Sequence, residues 1–265
     1  MCAAGPVTAP VTAQVAEPAL RPITGFRENP AWTPAELGDD LALWLDADDA
    51  STITLNGSKV SQWDDKSGEG RHATQSTESQ QPVLTTSGLN GKNVVTFTGG
   101  NRGFSLNSGV GVPRDLVSVS SGYGYLYSSA TDRLLWRSAP DQDLFWNSPG
   151  VNGFTSPNRA SDTAVFIENY GATSNTYRVF IDGTSTASGS VDPWNNDNLF
   201  TRIGLQFNGS TGVPSWTGFM AEIVWTNALL SADDRQKLEG YLAWKWGLEA
   251  NLPTGHPYKS ARPTT

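Results

Sequence analysis

The sequence predicts an all-β sandwich followed by a single C-terminal helix, and three observations support this. Charged residues make up only 17 % of the 265 residues, while 27 glycines and 16 prolines supply many turns. Several short segments are rich in β-branched and aromatic residues, as strands are. One stretch near the C-terminus, residues 231–247, carries a helical period and a cap at each end. The length suits one large all-β domain with appendages or two small domains.

The first predicted strands follow Leu37, where the packed domain is expected to begin. Leu41, Leu43 and Leu45 alternate and predict a half-buried strand, with Trp44 on its other face. The run 46–49 is a polar turn. Further strands are predicted at 60–63 and 93–98, with a tight turn at 64–68 between them. Residues 101–159 indicate several short strands whose register the pattern does not set, and residues 104–160 show no match to a known family.

The C-terminal half gives sharper signals. Strands are predicted at 163–168, 177–181, 199–206 and 218–226, and Asp182-Gly183 is a hairpin turn sequence. A helix is predicted over about 231–246. Ser231 and Asp234 form a pair like a capping box at its start, and Gly247 occupies its C′ position. We expect this helix to close one end of the sandwich.

Composition excludes several classes of protein. The net charge of −8 comes without a cluster of Lys or Arg, which argues against nucleic-acid binding. No apolar run is long enough to enter and cross a membrane. Cys2 is the sole cysteine, so no intrachain disulfide is expected. The first residues lack the basic and apolar regions of a signal peptide, so synthesis in a cytoplasm without a visible export route is expected. Most of the ten tryptophans are expected in the core.

Residues 1–36 form a separate region of unusual composition. Six of the 16 prolines fall here, and such spacing favours an extended chain that cannot bury a core of its own. We expect this arm to dock on a neighbouring protein, and deletion of residues 1–34 should leave a folded domain that no longer attaches. Packing of the arm on its own domain is the alternative. The predicted docking contacts are Pro6, Pro10, Pro18, Pro22, Phe26 and Trp32.

Residues 37–258 resemble the laminin-G or concanavalin-A-like jelly-roll modules found in bacteriophage virion proteins. The segments that carry the resemblance are 43–48, 60–68 with His72-Ala73 after it, 177–183, and the C-terminal block 218–258 with Ile203-Gly204 before it. The resemblance implies two antiparallel sheets in a jelly-roll sandwich over residues 37–265. It also implies a structural component of a virion, in a head decoration, head fibre or tail. The arm would bind a capsid or tail protein, and the domain would form a homo-oligomer.

Catalysis is not expected. Glucanases of the resembled fold use a pair of carboxylates on one strand, within the pattern Glu-x-Asp-x-x-Glu, which this sequence lacks. Glu222 stands alone within its predicted strand and is expected to be paired or solvent-facing. His72 and His256 lie far apart and without neighbouring ligands, so they indicate neither a metal site nor a triad.

Carbohydrate binding is the alternative function, as an adhesin or receptor-binding domain that grips a host-surface glycan. The candidate glycan site is the loop 192–198, where Trp194 could stack on a sugar and Asn195, Asn196 and Asp197 could bind its hydroxyls. The same loop also fits a plain turn with Trp194 packed inward. No cofactor is required, although Ca²⁺ could be held by oxygen ligands there or in the turn at Asp46–Asp49.

Overall fold

The chain folds into β-strands followed by one C-terminal α-helix, which confirms the all-β prediction with its appended helix. The computed structural model describes residues 1–2, 30–111, 114–129, 134–138, 142–147, 166–172, 176–190, 200–205 and 215–265. No helix in these ranges is long and apolar enough to span a bilayer. The strands and the helix are β1 (Leu41–Asp46), β2 (Ile53–Asn56), β3 (Lys59–Trp63), β4 (Ala73–Thr74), β5 (Val83–Leu89), β6 (Lys92–Thr98), β7 (Phe104–Val110), β8 (Asp115–Ser129), β9 (Leu134–Ser138), β10 (Gln142–Asn147), β11 (Phe166–Ala172), β12 (Thr176–Ile181), β13 (Thr184–Ser190), β14 (Phe200–Ile203), β15 (Thr217–Thr226) and α1 (Ala232–Trp246). Short 3₁₀ turns span Pro34–Asp40, Ala50–Thr52, Glu78–Gln80 and Glu249–Asn251.

The paired strands are antiparallel and form one connected hydrogen-bonded network. Their order is β1-β15-β6-β5-β3-β4-β7-β14-β8-β11-β12-β13, and an additional pairing between β15 and β8 closes a ring. Strand β2 pairs with β3, β9 with β8, and β10 with β9. The two separate sheets implied by the resemblance are therefore not seen in the hydrogen bonding.

Strand β15 connects one layer of strands to the next, because it changes its pairing partner along its length. Its first residues, 217–220, pair with β6, and its later residues, 222–226, pair with β1. The register on β8 shifts between Met220 and Glu222, which marks a bulge at the point of exchange. A strand that changes partners at a bulge links one layer of a β-fold to the next.

Strand β1 is buried on both faces. Leu43 and Leu45 of β1 belong to an inner core with Trp63, Phe97 and Trp225, whereas Trp44 belongs to an outer core with residues of α1. Leu41, expected on the same face as Leu43, packs with Trp44 because the register with β15 shifts between Leu41 and Leu43. The strand predicted to be half-buried is thus fully buried, since α1 covers its outer side.

Helix α1 lies on the outer face of the strands and does not close an end of the barrel, contrary to the expectation. Its Leu238, Leu242 and Trp246 pack with Val224 of β15 and Val117 of β8. Both caps are confirmed. The Ser231 hydroxyl accepts a hydrogen bond from the Asp234 amide at 3.1 Å, and Gly247 takes the left-handed conformation at φ 67°.

The hairpin between β12 and β13 is also confirmed. Asp182 and Gly183 both have positive φ, 49° and 77°, as the tight two-residue turns of hairpins require. Asp182 further fixes this corner through its carboxylate, which accepts a hydrogen bond from the Ile167 amide at 2.9 Å.

Residues 30–36, the described segment just before Leu37, pack on the rest of the domain. The Trp32 amide donates to the Pro263 carbonyl at 3.1 Å, and the Thr265 amide donates to the Pro30 carbonyl at 3.0 Å. The Trp32 side chain is 4 % exposed and packs edge-on against Tyr241 of α1. The structure therefore places Trp32 within its own domain, whereas the sequence assigned it to the docking arm.

Candidate functional site

A polar cleft lies on the outer side of four neighbouring strands. Residues of β2, β3, β4 and β7 stand directly opposite one another: Thr54 faces Gln62, Gln62 faces Thr74, and Thr74 faces Ser105. The neighbouring residues on the same strands form a second row, which is apolar and faces the core. This row consists of Ile53, Trp63, Ala73 and Leu106. Because side chains alternate between faces, burial of this row directs the polar row outward.

A β-bulge shapes the floor of the cleft. Thr54 pairs with Gln62 but Leu55 pairs with Val60, so Ser61 is left over on β3. Both Val60 and Trp63 are consequently buried, and Ser61 and Gln62 together are turned toward the cleft. Bulges often re-aim side chains beside functional sites.

The cleft has a volume of about 380 Å³, which falls within the range of about 300–1,000 Å³ common for small-molecule sites. Its walls come from Gln75 and Ser76, which follow β4, and from Gln81, which directly follows the 3₁₀ turn Glu78–Gln80. All the lining side chains are uncharged hydroxyls or carboxamides: Thr54, Ser61, Gln62, Thr74, Gln75, Ser76, Gln81 and Ser105.

Gln81 is the buried polar group of this wall. Its side chain is 3 % exposed, and its Nε2 donates to the Gln75 carbonyl at 2.8 Å. Its Oε1 is buried and has no hydrogen-bond partner among the described residues. A buried carbonyl oxygen without a donor costs about 1–3 kcal/mol, a cost that the packing around Gln81 must offset.

A second polar cluster joins the helix to the strands. Asp46 of β1 and Glu222 of β15 are direct register partners, and like charges in such positions repel. Lys245 of α1 bridges them, with its Nζ 2.7 Å from Asp46 and 2.8 Å from Glu222. Lys66 adds a second ammonium 3.0 Å from Asp46.

Glu222 is fully enclosed within this cluster. It accepts hydrogen bonds from the indoles of Trp44 and Trp246, each at 2.7 Å, and from the Tyr241 hydroxyl at 3.0 Å. Burial raises the pKa of Glu222, and the Lys245 ammonium opposes that rise. Because no ligand can reach a fully buried carboxylate, the cluster fixes α1 on the sheet and is not a binding site. It settles the sequence expectation for Glu222 in favour of a paired residue.

The aspartates of the turn Asp46–Asp49, where the sequence suggests a Ca²⁺ site, have cationic partners. Asp46 and Asp49 share Lys66, and Asp48 binds Lys92 at 2.9 Å. Lys66 and Ser51 lower the pKa of the Asp49 carboxyl to about 2. Among the residues described, no group of three or more His, Cys, Asp or Glu side chains is arranged to hold a metal ion.

An aromatic pocket of about 230 Å³ lies between helix α1 and the adjacent segments 31–32 and 262–263. Its most exposed ring is Trp244, whose indole nitrogen donates to the Tyr258 carbonyl at 2.9 Å. Lys245 also lines it, but its ammonium already binds Asp46, Glu222 and the Tyr241 hydroxyl. The pocket is smaller than usual ligand sites, and the polar cleft is therefore the better candidate.

Among the docking and glycan contacts named from the sequence, Trp32 lies within the described part of the chain, and it does not line this cleft. Trp194, Asn195, Asn196 and Asp197 lie outside the described residues, as do Pro6, Pro10, Pro18, Pro22 and Phe26. The polar cleft itself was not predicted. One available signal was the run Thr74-Gln-Ser-Thr-Glu-Ser-Gln-Gln81, in which seven of eight residues carry a hydroxyl or carboxamide.

Comparison with solved structures places the fold among β-sandwich domains. The chain is similar to domain 4 of AbnA, a GH43 extracellular arabinanase from Geobacillus stearothermophilus that was solved in complex with arabinotriose. The TM-score is 0.53 at 11 % identity, over 76 % of this chain and 98 % of that domain. At this identity the likeness shows the fold alone.

Two weaker likenesses involve larger proteins. Trypanosoma rangeli sialidase in complex with sialic acid gives a TM-score of 0.47 at 14 % identity, over 78 % of this chain and 33 % of the sialidase. The binding domain of Paraclostridial Mosquitocidal Protein 1 gives 0.46 at 10 % identity, over 78 % of this chain and 53 % of that one. The chain thus spans about a third and about half of these proteins, and scores below 0.5 carry no argument. No protein-family model matches the chain, and a search of curated proteins finds no match.

Proposed function

We propose that this protein is a carbohydrate-binding domain and that the polar cleft on β2, β3, β4 and β7 holds the glycan. The observation that carries the proposal is the row of hydroxyl and carboxamide side chains across four strands, which lines a cleft open to solvent. Such groups match the many hydroxyls of a sugar, each of which both donates and accepts hydrogen bonds.

The fold likeness supports this choice over a virion structural role. Domain 4 of the arabinanase was solved with a bound oligosaccharide, and it has the same kind of β-sandwich fold. The two-sheet jelly roll and attachment to a capsid or tail protein through residues 1–36 stay sequence predictions.

We propose binding without cleavage. Retaining and inverting glycosidases both need a pair of carboxyl groups that flank the scissile bond. Within the described part of the chain, none of the side chains that line the cleft is a carboxylate. The lining residues that the structure describes also include no aromatic side chain. We therefore expect weak affinity, with a dissociation constant near 1 mM, or about −4 kcal/mol.

The test is an oligosaccharide array that includes arabinotriose, followed by calorimetry on the best ligand. Ser105 is exposed at the cleft, and Ser105→Trp should fill it and remove binding. Ser108→Trp is the matched control, since Ser108 is exposed on the same strand and does not line the cleft. Unchanged binding by a folded Ser105→Trp variant would refute the site, and absence of binding by the wild-type chain to any glycan would refute the function.

A further inference from the structure

The orientation of the carboxamides in the cleft is fixed by their partners. Gln62 points Nε2 at the Asp64 carboxylate, 2.7 Å away, and Gln81 points Nε2 at the Gln75 carbonyl. Gln75 is fixed at both ends, because its Nε2 donates to the Gly103 carbonyl at 2.9 Å and its Oε1 accepts from the Thr77 amide at 3.0 Å. Carboxylates and carbonyls accept only, so in each case the nitrogen must face them.

Two of the hydroxyls are oriented in the same sense. Ser61 Oγ donates to the Thr54 carbonyl at 3.1 Å, and Thr74 Oγ1 donates to the Ser105 carbonyl at 3.3 Å. Their protons are directed at the backbone, and their lone pairs are left for a ligand. Together with Oε1 of Gln62, these two hydroxyls present acceptor oxygens to a ligand, whereas the hydroxyls of Thr54, Ser76 and Ser105 can donate or accept.

The charges around the cleft also disfavour an anionic ligand. The Asp64 carboxylate lies 2.7 Å from Gln62 Nε2 and 3.1 Å from His72 Nδ1. Among the described residues that line the cleft, none is a Lys or Arg. The nearby Lys59 is occupied by Glu78, with 3.0 Å between Nζ and Oε1. An anionic group placed here would lose hydration without gaining a cation among the described lining residues, and neutral hydroxyls compensate a buried charge poorly.

Resting on the proposed glycan-binding function, we propose that the cleft selects uncharged glycans and rejects their carboxylated, sulfated or phosphorylated counterparts. A neutral sugar brings hydroxyl protons to the acceptor oxygens, whereas an anionic substituent brings only further acceptors. Specificity here comes from an arrangement that disfavours the wrong ligand as well as one that favours the right one.

The experiment compares glycans that differ only in one acidic group. Xylo-oligosaccharides with and without a glucuronic acid branch, and galacto-oligosaccharides with and without a terminal sialic acid, are titrated into the full chain at low and moderate salt. We expect the better neutral ligand to bind at least ten-fold more tightly than its acidic twin, with the difference larger at low salt. Equal or tighter binding of the acidic twin overturns this inference and leaves the glycan function standing. Failure of all of these ligands and of the wider array refutes both.

A gain-of-function variant makes the test independent of lost binding. Thr54 is exposed at the cleft, and Thr54→Lys should narrow the preference for the neutral glycan by several-fold or reverse it. Ser188→Lys on β13 is exposed, adds the same charge away from the cleft and should leave the ratio unchanged. An equal change in both variants would show that net charge, and not the cleft, sets the preference.

Discussion

Removal of the Glu222 carboxylate should release helix α1 from the sheet. In Glu222→Ala, the indole nitrogens of Trp44 and Trp246 lose their acceptor while both rings remain buried. Lys245 keeps Asp46, 2.7 Å away, so its charge retains one partner. Each buried donor left without an acceptor costs about 1–3 kcal/mol, and breaking a buried ionic cluster costs about 3–5 kcal/mol. We expect the free energy of unfolding to fall by about 4 kcal/mol.

A second variant at this position separates the charge of the side chain from its shape, and a surface variant is the control. Glu222→Gln keeps an acceptor oxygen for one indole but turns an NH₂ group toward the other donors, so we expect a loss of about 2 kcal/mol. Glu36→Ala is the control, because Glu36 is exposed, and a surface change of this kind should stay within about 0.5 kcal/mol.

The assay is urea unfolding followed by tryptophan fluorescence and by far-ultraviolet circular dichroism. The fluorescence should respond strongly because two indoles bind the carboxylate directly. A loss below about 1 kcal/mol in Glu222→Ala would refute the reasoning, since it would mean that the indoles and Lys245 find equivalent partners elsewhere.

Four other predictions concern stability and the glycan site. Burial raises the pKa of Asp115 to about 6, against the opposing effects of the Leu230 amide and Arg178. Between about pH 4 and about pH 6 the folded state therefore holds a proton that the unfolded state has lost, and the free energy of unfolding of the wild type should fall by up to about 3 kcal/mol as the pH rises through this range. Denaturant titrations of the Asp115→Asn variant should not show this fall with pH. A Cβ on Gly122 would overlap the Thr217 carbonyl oxygen on β15, so Gly122→Ala should unfold at a clearly lower temperature, whereas Gly111→Ala, which has open space, should not. Trp32→Ala should lower the free energy of unfolding by about 3 kcal/mol, and for the same reason deletion of residues 1–34 should destabilise the domain; an unchanged unfolding midpoint would contradict the packing of Trp32. Trp194→Ala should retain glycan binding if the cleft is the site, and loss of binding in calorimetry would return the site to the loop 192–198.

Local signals in the sequence predicted the elements whose chemistry is contained in a few adjacent residues. Ser231, Asp234 and Gly247 define the ends of α1 because capping depends on neighbouring backbone groups. The Asp182-Gly183 turn is similar, since both residues tolerate positive φ. These features need no knowledge of the rest of the chain.

The placement of α1 depended on contacts that a local pattern does not contain. Arg235 and Glu239 lie on the buried side of the helix, although a charged residue normally indicates an exposed position. They bind each other, His256 lies 3.2 Å from Glu239, and the Arg235 guanidinium stacks 3.7 Å from the Phe180 ring centre. Partners distant in sequence thus allow these charges to be buried, and the face that α1 covers could not be inferred from its apolar stripe alone.

The cleft was missed for a related reason. Thr54, Gln62, Thr74 and Ser105 come from four strands, and nothing in the local sequence of any one strand shows that they align. The apolar row of Trp63, Ala73 and Leu106 lies one residue along each strand, so a register slip by one residue would exchange the two rows. Burial of Trp63 at 0 % exposure makes that slip costly. The largest ring of the inner core therefore fixes the position of the polar row outside it, and a glycan site built this way depends on the core for its geometry.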